Sequence, residues 1–186
     1  MSTRSRVAVA MCVVALAGCA TPAAVVTETA GPGLGRQATP AEVAAWDVSI
    51  SPDGAGLPQG RGTPAQGAVV YAQKCQNCHG EKGAGQPNDR LVGGQGTLAS
   101  KTPVRTIGSY WPYATTLFDY IKRAMPFNAP GSLSDEDVYS VVAYILSKVE
   151  VIKATDRMNA TMLPKVIMPN RDGFEGDPRP ELQLYR

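Results

Sequence analysis

A chain of 186 residues is long enough for one domain of ordinary size with appendages. With 44% hydrophobic and 18% charged residues, it is neither wholly disordered nor a bundle of membrane helices, and a formal charge of +2 argues against a nucleic-acid partner. Aromatic residues make up 6%, while Gly (19) and Pro (15) are plentiful, which suits short helices joined by long loops.

Residues 1–18 read as an export signal. Arg4 and Arg6 form a basic start, and Val7 to Ala17 form an apolar run. That run is about half of the roughly 20 residues a membrane-spanning helix requires. Leu16-Ala17-Gly18-Cys19 has a Leu-small-Gly-Cys pattern and resembles the processing site of bacterial lipoproteins. The resemblance implies cleavage before Cys19 and acylation of its thiol, giving the several acyl chains that stable anchoring requires. The alternative is an ordinary secretory signal cut nearby. Ala20 follows, not the Asp that often signals retention at the inner membrane, so the expected location is the periplasm, tethered to the outer membrane. Without Arg4 and Arg6 the chain carries 16 basic and 16 acidic side chains, so docking depends on how charge is distributed. Residues 19–40 are rich in Ala, Thr, Gly and Pro, show no helix or strand period, and read as a flexible tether. Residues 41–62 form an N-terminal arm.

The next signal is a helix start. Thr63-Pro64-Ala65-Gln66 combines an N-cap, Pro at the first helical position and Gln at the third. The helix that follows places Val70 and Tyr71 at helical spacing to Lys74 and Cys75. It leads into Cys75-Gln76-Asn77-Cys78-His79, the C-x-x-C-H pattern of c-type haem attachment. Two thiols about one turn apart can reach the two vinyl groups of one porphyrin edge and form thioethers, and the adjacent imidazole can bind the iron. The Gly-rich stretch Gly80 to Gly85 can pass close to a flat cofactor. A redox dithiol of thioredoxin type would need a βαβ context that is missing. A zinc site would need a fourth ligand, and this region offers neither a second His nor a third Cys, because Cys12 and Cys19 lie in the signal. The expected cofactor is one covalent haem c, held by Cys75 and Cys78 with His79 on the iron.

His79 is the only histidine, so the sixth ligand is sought among Met125, Met158, Met162 and Met168. Residues 113–124 carry Leu117, Phe118, Ile121 and Ala124 on one helical face. Met125-Pro126 breaks that helix, and Ser134-Asp-Glu-Asp137 opens another with a buried stripe of Val138, Val141, Val142, Ile145 and Leu146. This layout resembles the class I cytochrome c fold, an all-α arrangement of short helices and long loops around one haem. In that fold a Met-Pro loop before the C-terminal helix presents the axial sulfur opposite the histidine. Carried over, the resemblance names Met125, with Met168-Pro169 as the rival pair. The cytochrome domain is then 63–150, followed by a Pro-rich tail, 151–186. Leu91 to Gly94, Tyr110, Trp111 and Tyr113 could approach the macrocycle, and Arg105 and Arg123 could balance propionate charge, although such residues are more often core aromatics and solvated charges.

A closer resemblance spans residues 46 to 174. It rests on Trp46-Asp47-Val48 with Pro52-Asp53-Gly54, on Gly108 to Ala114, Arg123 to Phe127 and Ala129 to Leu133, and on Leu163 to Phe174. Together these stretches are similar to the haem c subunits of bacterial sulfite dehydrogenases and related sulfur-oxidation cytochromes. The resemblance implies an electron-transfer subunit, not itself an enzyme. It would take single electrons from a molybdenum-containing catalytic subunit and pass them to a downstream cytochrome or oxidase. A lipid-tethered general shuttle and a monohaem oxidoreductase in its own right are the alternatives. The arm and the tail are too long to be bare loops and are expected to wrap the haem domain or the partner.

Overall fold

The computed structural model describes residues 34–181, of which 41–181 form one compact unit. Among these residues there are five α-helices and a two-stranded ribbon. Helix α1 is Pro40–Trp46 and none of its residues is buried. Strand β1 (Arg61–Gly62) precedes α2 (Pro64–Lys74) and the single-turn α3 (Gln76–His79). Next come α4 (Ala114–Ala124), α5 (Asp135–Lys148) and β2 (Met158–Asn159), with short 3₁₀ turns at Glu81–Gly83 and Leu163–Lys165. Among the described residues no helix is long and apolar enough to cross a membrane. The tether before residue 34 and the signal with Cys12 and Cys19 lie outside the described residues.

The helix ends follow local chemistry. Thr63 caps α2: its hydroxyl accepts the Gln66 N–H at 3.3 Å, and the Gln66 side chain accepts the Thr63 N–H at 3.1 Å. Ser134 does the same for α5 by accepting the Asp137 N–H at 3.1 Å, with three acidic residues in the first turn and Lys148 in the last. Helix α4 stops at Met125, whose backbone is extended (φ −122°, ψ 147°), because a residue before proline is driven out of the helical region.

Helices α2 and α5 make the most extensive contact of the fold. They touch backbone to backbone at Gly67, where any Cβ would overlap the Ser140 carbonyl. One turn further on each helix, Tyr71 and Tyr144 stack with ring centroids 5.0 Å apart. Phe118 of α4 meets Tyr139 of α5 at 4.5 Å, and Leu117, Val138, Val141, Val142 and Leu146 complete the core.

The five residues of the expected stripe on α5 are all buried, but so are Tyr139, Ser140, Ala143 and Tyr144, which makes Val138 to Leu146 buried on every side. The reason is that α2 covers Ser140 and Tyr144, while the arm closes over Tyr139 and places Gly62 against Ser140. From the arm, Ile50 N–H donates to Asp119 Oδ1 of α4 (3.2 Å), and the Pro58 carbonyl accepts the Tyr139 hydroxyl of α5 (2.8 Å). From the tail, Met158, Leu163 and Met168 enter the core. The two appendages pair as β1–β2, antiparallel, with Arg61 opposite Asn159 and Gly62 opposite Met158. They wrap the haem domain itself.

Candidate haem site

The C-terminal end of α2 delivers the motif. The Cys75 N–H closes α2 on the Tyr71 carbonyl at 2.9 Å, and the Cys75 carbonyl then accepts the N–H groups of Cys78 (3.1 Å) and His79 (2.9 Å). Both thiols and the imidazole therefore ride on a single turn, the arrangement that C-x-x-C-H needs to engage one macrocycle edge and its iron together. Cys75 is part-buried and Cys78 exposed. Burial, and secondarily Cys78, pushes the Cys75 thiol up to about 11.

His79 is held from behind. Its Nδ1 lies 2.8 Å from the Asp89 carbonyl oxygen. A carbonyl can only accept, so Nδ1 carries the proton and Nε2 keeps its lone pair for a metal. The loop that brings Asp89 round is tied to the motif at successive carbonyls: Cys78 accepts from Asn88 N–H and His79 from Gly85 N–H, both at 2.8 Å. Gly80 makes the turn possible. It sits at φ +73°, and any side chain there would run into the Gly85 carbonyl. Gly83 in turn accepts the N–H groups of Leu91 (2.9 Å) and Val92 (3.3 Å).

The four methionines lie in different surroundings. Met168 and Met158 are core residues, 1% and 3% exposed, while Met162 is 43% exposed on the tail. Met125 is part-buried at the end of α4, packed against the same core as Cys75, Leu91 and Trp111. Those four part-buried apolar residues come from four separate segments. Together with Cys78 and a histidine whose Nε2 lone pair is free, they have the chemistry to hold haem c: two thiols for thioethers, an imidazole and a thioether for iron, and apolar side chains for the macrocycle.

The weaker candidates divide. Arg123 is committed to Asp119: its Nε donates to Asp119 Oδ1 at 3.0 Å and its Nη2 to Oδ2, so its charge is already balanced. Arg105 lies 5.3 Å over the Tyr110 ring and lines a cleft of about 550 Å³ with Arg90 and Asp89. Trp111 stands edge-on to Tyr120. A knot not foreseen from sequence fixes this stretch: the Thr106 hydroxyl donates to the Gly93 carbonyl (2.5 Å) and the Ser109 hydroxyl to the Val104 carbonyl (2.7 Å). On its far side the tail secures it, with Asn170 Nδ2 donating to the Tyr110 carbonyl at 2.8 Å and Phe174 edge-on to the Tyr110 ring.

The family model for cytochrome c oxidase, cbb3-type, subunit III matches residues 62–145. Thiosulfate dehydrogenase of Psychrobacter arcticus is 31% identical over 109 residues, covering 56% of this chain and 33% of that protein. Thiosulfate dehydrogenase of Stutzerimonas stutzeri is 37% identical over 92 residues, covering 48% and 29%. The chain thus spans about a third of the length of these curated relatives. Among solved structures, a chain in the crystal structure of the sulfane dehydrogenase SoxCD from Paracoccus pantotrophus superposes with a TM-score of 0.74 at 39% identity, covering 83% of this chain and 77% of that one.

Proposed function

Since this chain belongs to the class I cytochrome c family, among its sulfur-oxidation members, we propose that it is a monohaem carrier taking single electrons from a sulfur-compound dehydrogenase subunit. The observation that carries this reading is the single turn bearing Cys75, Cys78 and His79, with His79 Nδ1 held by the Asp89 carbonyl. In this reading Cys75 and Cys78 form the thioethers, His79 is the proximal ligand and Met125 the distal one. Haem c, when bound, would supply a one-electron couple, and iron held by both His79 and Met125 would have no place for substrate. The protein's part would be to fix the imidazole, supply a soft sulfur that favours ferrous iron, and offer Leu91 and Trp111 as apolar surroundings.

For the donor we favour a molybdenum-containing catalytic subunit of sulfite dehydrogenase type, on the strength of the motif stretches between residues 46 and 174. Oxidation of sulfite to sulfate takes an oxygen atom from water and releases two protons and two electrons, so the electrons must leave in two single steps. A downstream cytochrome or oxidase is the acceptor. Export and acylation at Cys19 would hold the carrier at a periplasmic membrane face, and the mass of the mature N-terminus tests this.

A second reading, a haem enzyme acting on thiosulfate itself, draws on the names of the curated relatives. It needs a labile sixth position, and prompt binding of carbon monoxide or cyanide would favour it. The deciding experiment follows haem reduction by sulfite, and separately by thiosulfate, in the detergent-extracted native complex and in the isolated chain. Rapid reduction by sulfite in the complex alone supports the proposal. Reduction by thiosulfate in the isolated chain supports the second reading. No reduction beyond that of a control cytochrome by either compound removes both donors.

A further inference from the structure

The loop from Gly80 to Val92 supplies the carbonyl that orients His79, yet most of its ties are backbone hydrogen bonds within the loop and to the motif. A tie reaching it from a helix is the Tyr71 hydroxyl, which donates to the Gly80 carbonyl at 3.0 Å. Tyr71 is 1% exposed and its ring is clamped against Tyr144, so the hydroxyl is held in place by packing. The same Gly80 carbonyl also accepts the Gly83 N–H at 3.3 Å, which closes the turn. Gly80 is also tied through its own N–H, which donates to the Gln76 carbonyl at 2.9 Å.

From this geometry we propose that Tyr71 is a positioning residue for His79, acting through the Gly80–Gly83 turn to hold the Asp89 carbonyl at Nδ1. The relay has three links. Tyr71 fixes the Gly80 carbonyl, which also accepts the Gly83 N–H; the Gly83 carbonyl fixes Leu91 and Val92; and the short span back to Asp89 sets the carbonyl opposite the imidazole. A hydrogen bond from Nδ1 raises the basicity of a metal-bound imidazole, and a more basic ligand favours ferric iron. Loosening the turn therefore raises the reduction potential. The proposal rests on His79 being the proximal ligand.

The test compares the mature full-length protein with Tyr71→Phe and Tyr139→Phe. Each variant keeps a buried ring and loses one hydroxyl-to-carbonyl bond, but the Tyr139 bond goes to Pro58 in the arm. Tyr71→Phe should raise the midpoint potential and speed solvent exchange of the His79 Nδ1 proton about five- to tenfold, the factor an ordinary hydrogen bond supplies. Tyr139→Phe should lose comparable stability and leave both readouts at their wild-type values. The proposal fails if Tyr71→Phe leaves both unchanged, or if the two variants shift them alike. Should Tyr71→Phe not mature, the wild-type protein decides: the Nδ1 proton and the Leu91 and Val92 amides should exchange at one shared rate, and unrelated rates overturn the relay. If the ferric wild type shows no iron-induced shifts on the His79 ring, the ligand reading itself fails, and the proposal with it.

Discussion

Met125 and Met168 each precede a proline, yet their surroundings give them different work. Met168 is 1% exposed and already surrounded by core residues, so turning its sulfur outward would leave a cavity. Met125 ends α4 in an extended conformation and stays part-buried, free to present its thioether. Met125→Ala should abolish the far-red band of Met-ligated ferric haem, lower the reduction potential and open the iron to cyanide. Met168→Ala should keep that band and cost roughly 2–5 kcal/mol of stability. The reverse pattern would move the distal ligand to the tail. Tyr139 illustrates a residue whose protonation is tied to folding. Burial, and secondarily Asp135, pushes its phenol up to about 12 from 10. A raised phenol contributes stability that is complete below pH 10 and lost as pH rises towards 12, in all roughly 2–3 kcal/mol. Denaturant titrations should show wild type losing stability over that window faster than Tyr139→Phe; equal slopes would show that this phenol is not what the alkaline limit reads.

Between elements, the decisive contact is α2 on α5. Gly67→Ala would gain about 1 kcal/mol of helix propensity, but its methyl group would meet the rigid Ser140 carbonyl, and overpacking of this kind costs about 1–3 kcal/mol or more. The clash should win, giving a net loss of about 2 kcal/mol in chemical denaturation; a gain in stability would show that the helices can slide apart cheaply. The starts and stops of these helices were legible because their causes are local: Thr63 with Gln66, Ser134 with Asp137, Met125 before Pro126. The site was legible for the same reason, since Cys75, Cys78 and His79 fall within one turn. The Asp89 carbonyl carried no signal, because any residue offers a backbone oxygen. The Asp119–Arg123 pair did carry one, at i,i+4 spacing, and it outweighs a propionate role for Arg123. The arm's cover over α4 and α5 was invisible for a different reason: Ile50 with Asp119 and Pro58 with Tyr139 are 69 and 81 residues apart and leave no periodic trace.

For the whole molecule, the question is whether arm and tail are accessories to the cytochrome domain or part of it. The cytochrome family model stops at residues 62 and 145, whereas the match to the SoxCD chain covers 83% of this chain and so must extend beyond the domain's limits. Energetics point the same way. Met158, Leu163 and Met168 are each no more than 3% exposed, and burying a side chain of that size contributes about 1.5–3 kcal/mol, roughly 5–9 kcal/mol for the three. A whole domain is stable by only about 5–15 kcal/mol, so the tail alone supplies a large share. The arm leans on it in part: among the described residues β2 is the strand partner of β1, and Gly54 packs beneath Pro164. Cutting the chain after residue 150 should therefore cost far more than a peripheral extension would. The truncated protein should unfold at least about 10 °C lower, and it should lose protection of the Ile50 amide in hydrogen exchange although residue 50 is untouched. Truncation with an unchanged melting temperature would mean that the core closes over α5 without the tail, and that the tail serves the partner and not the fold.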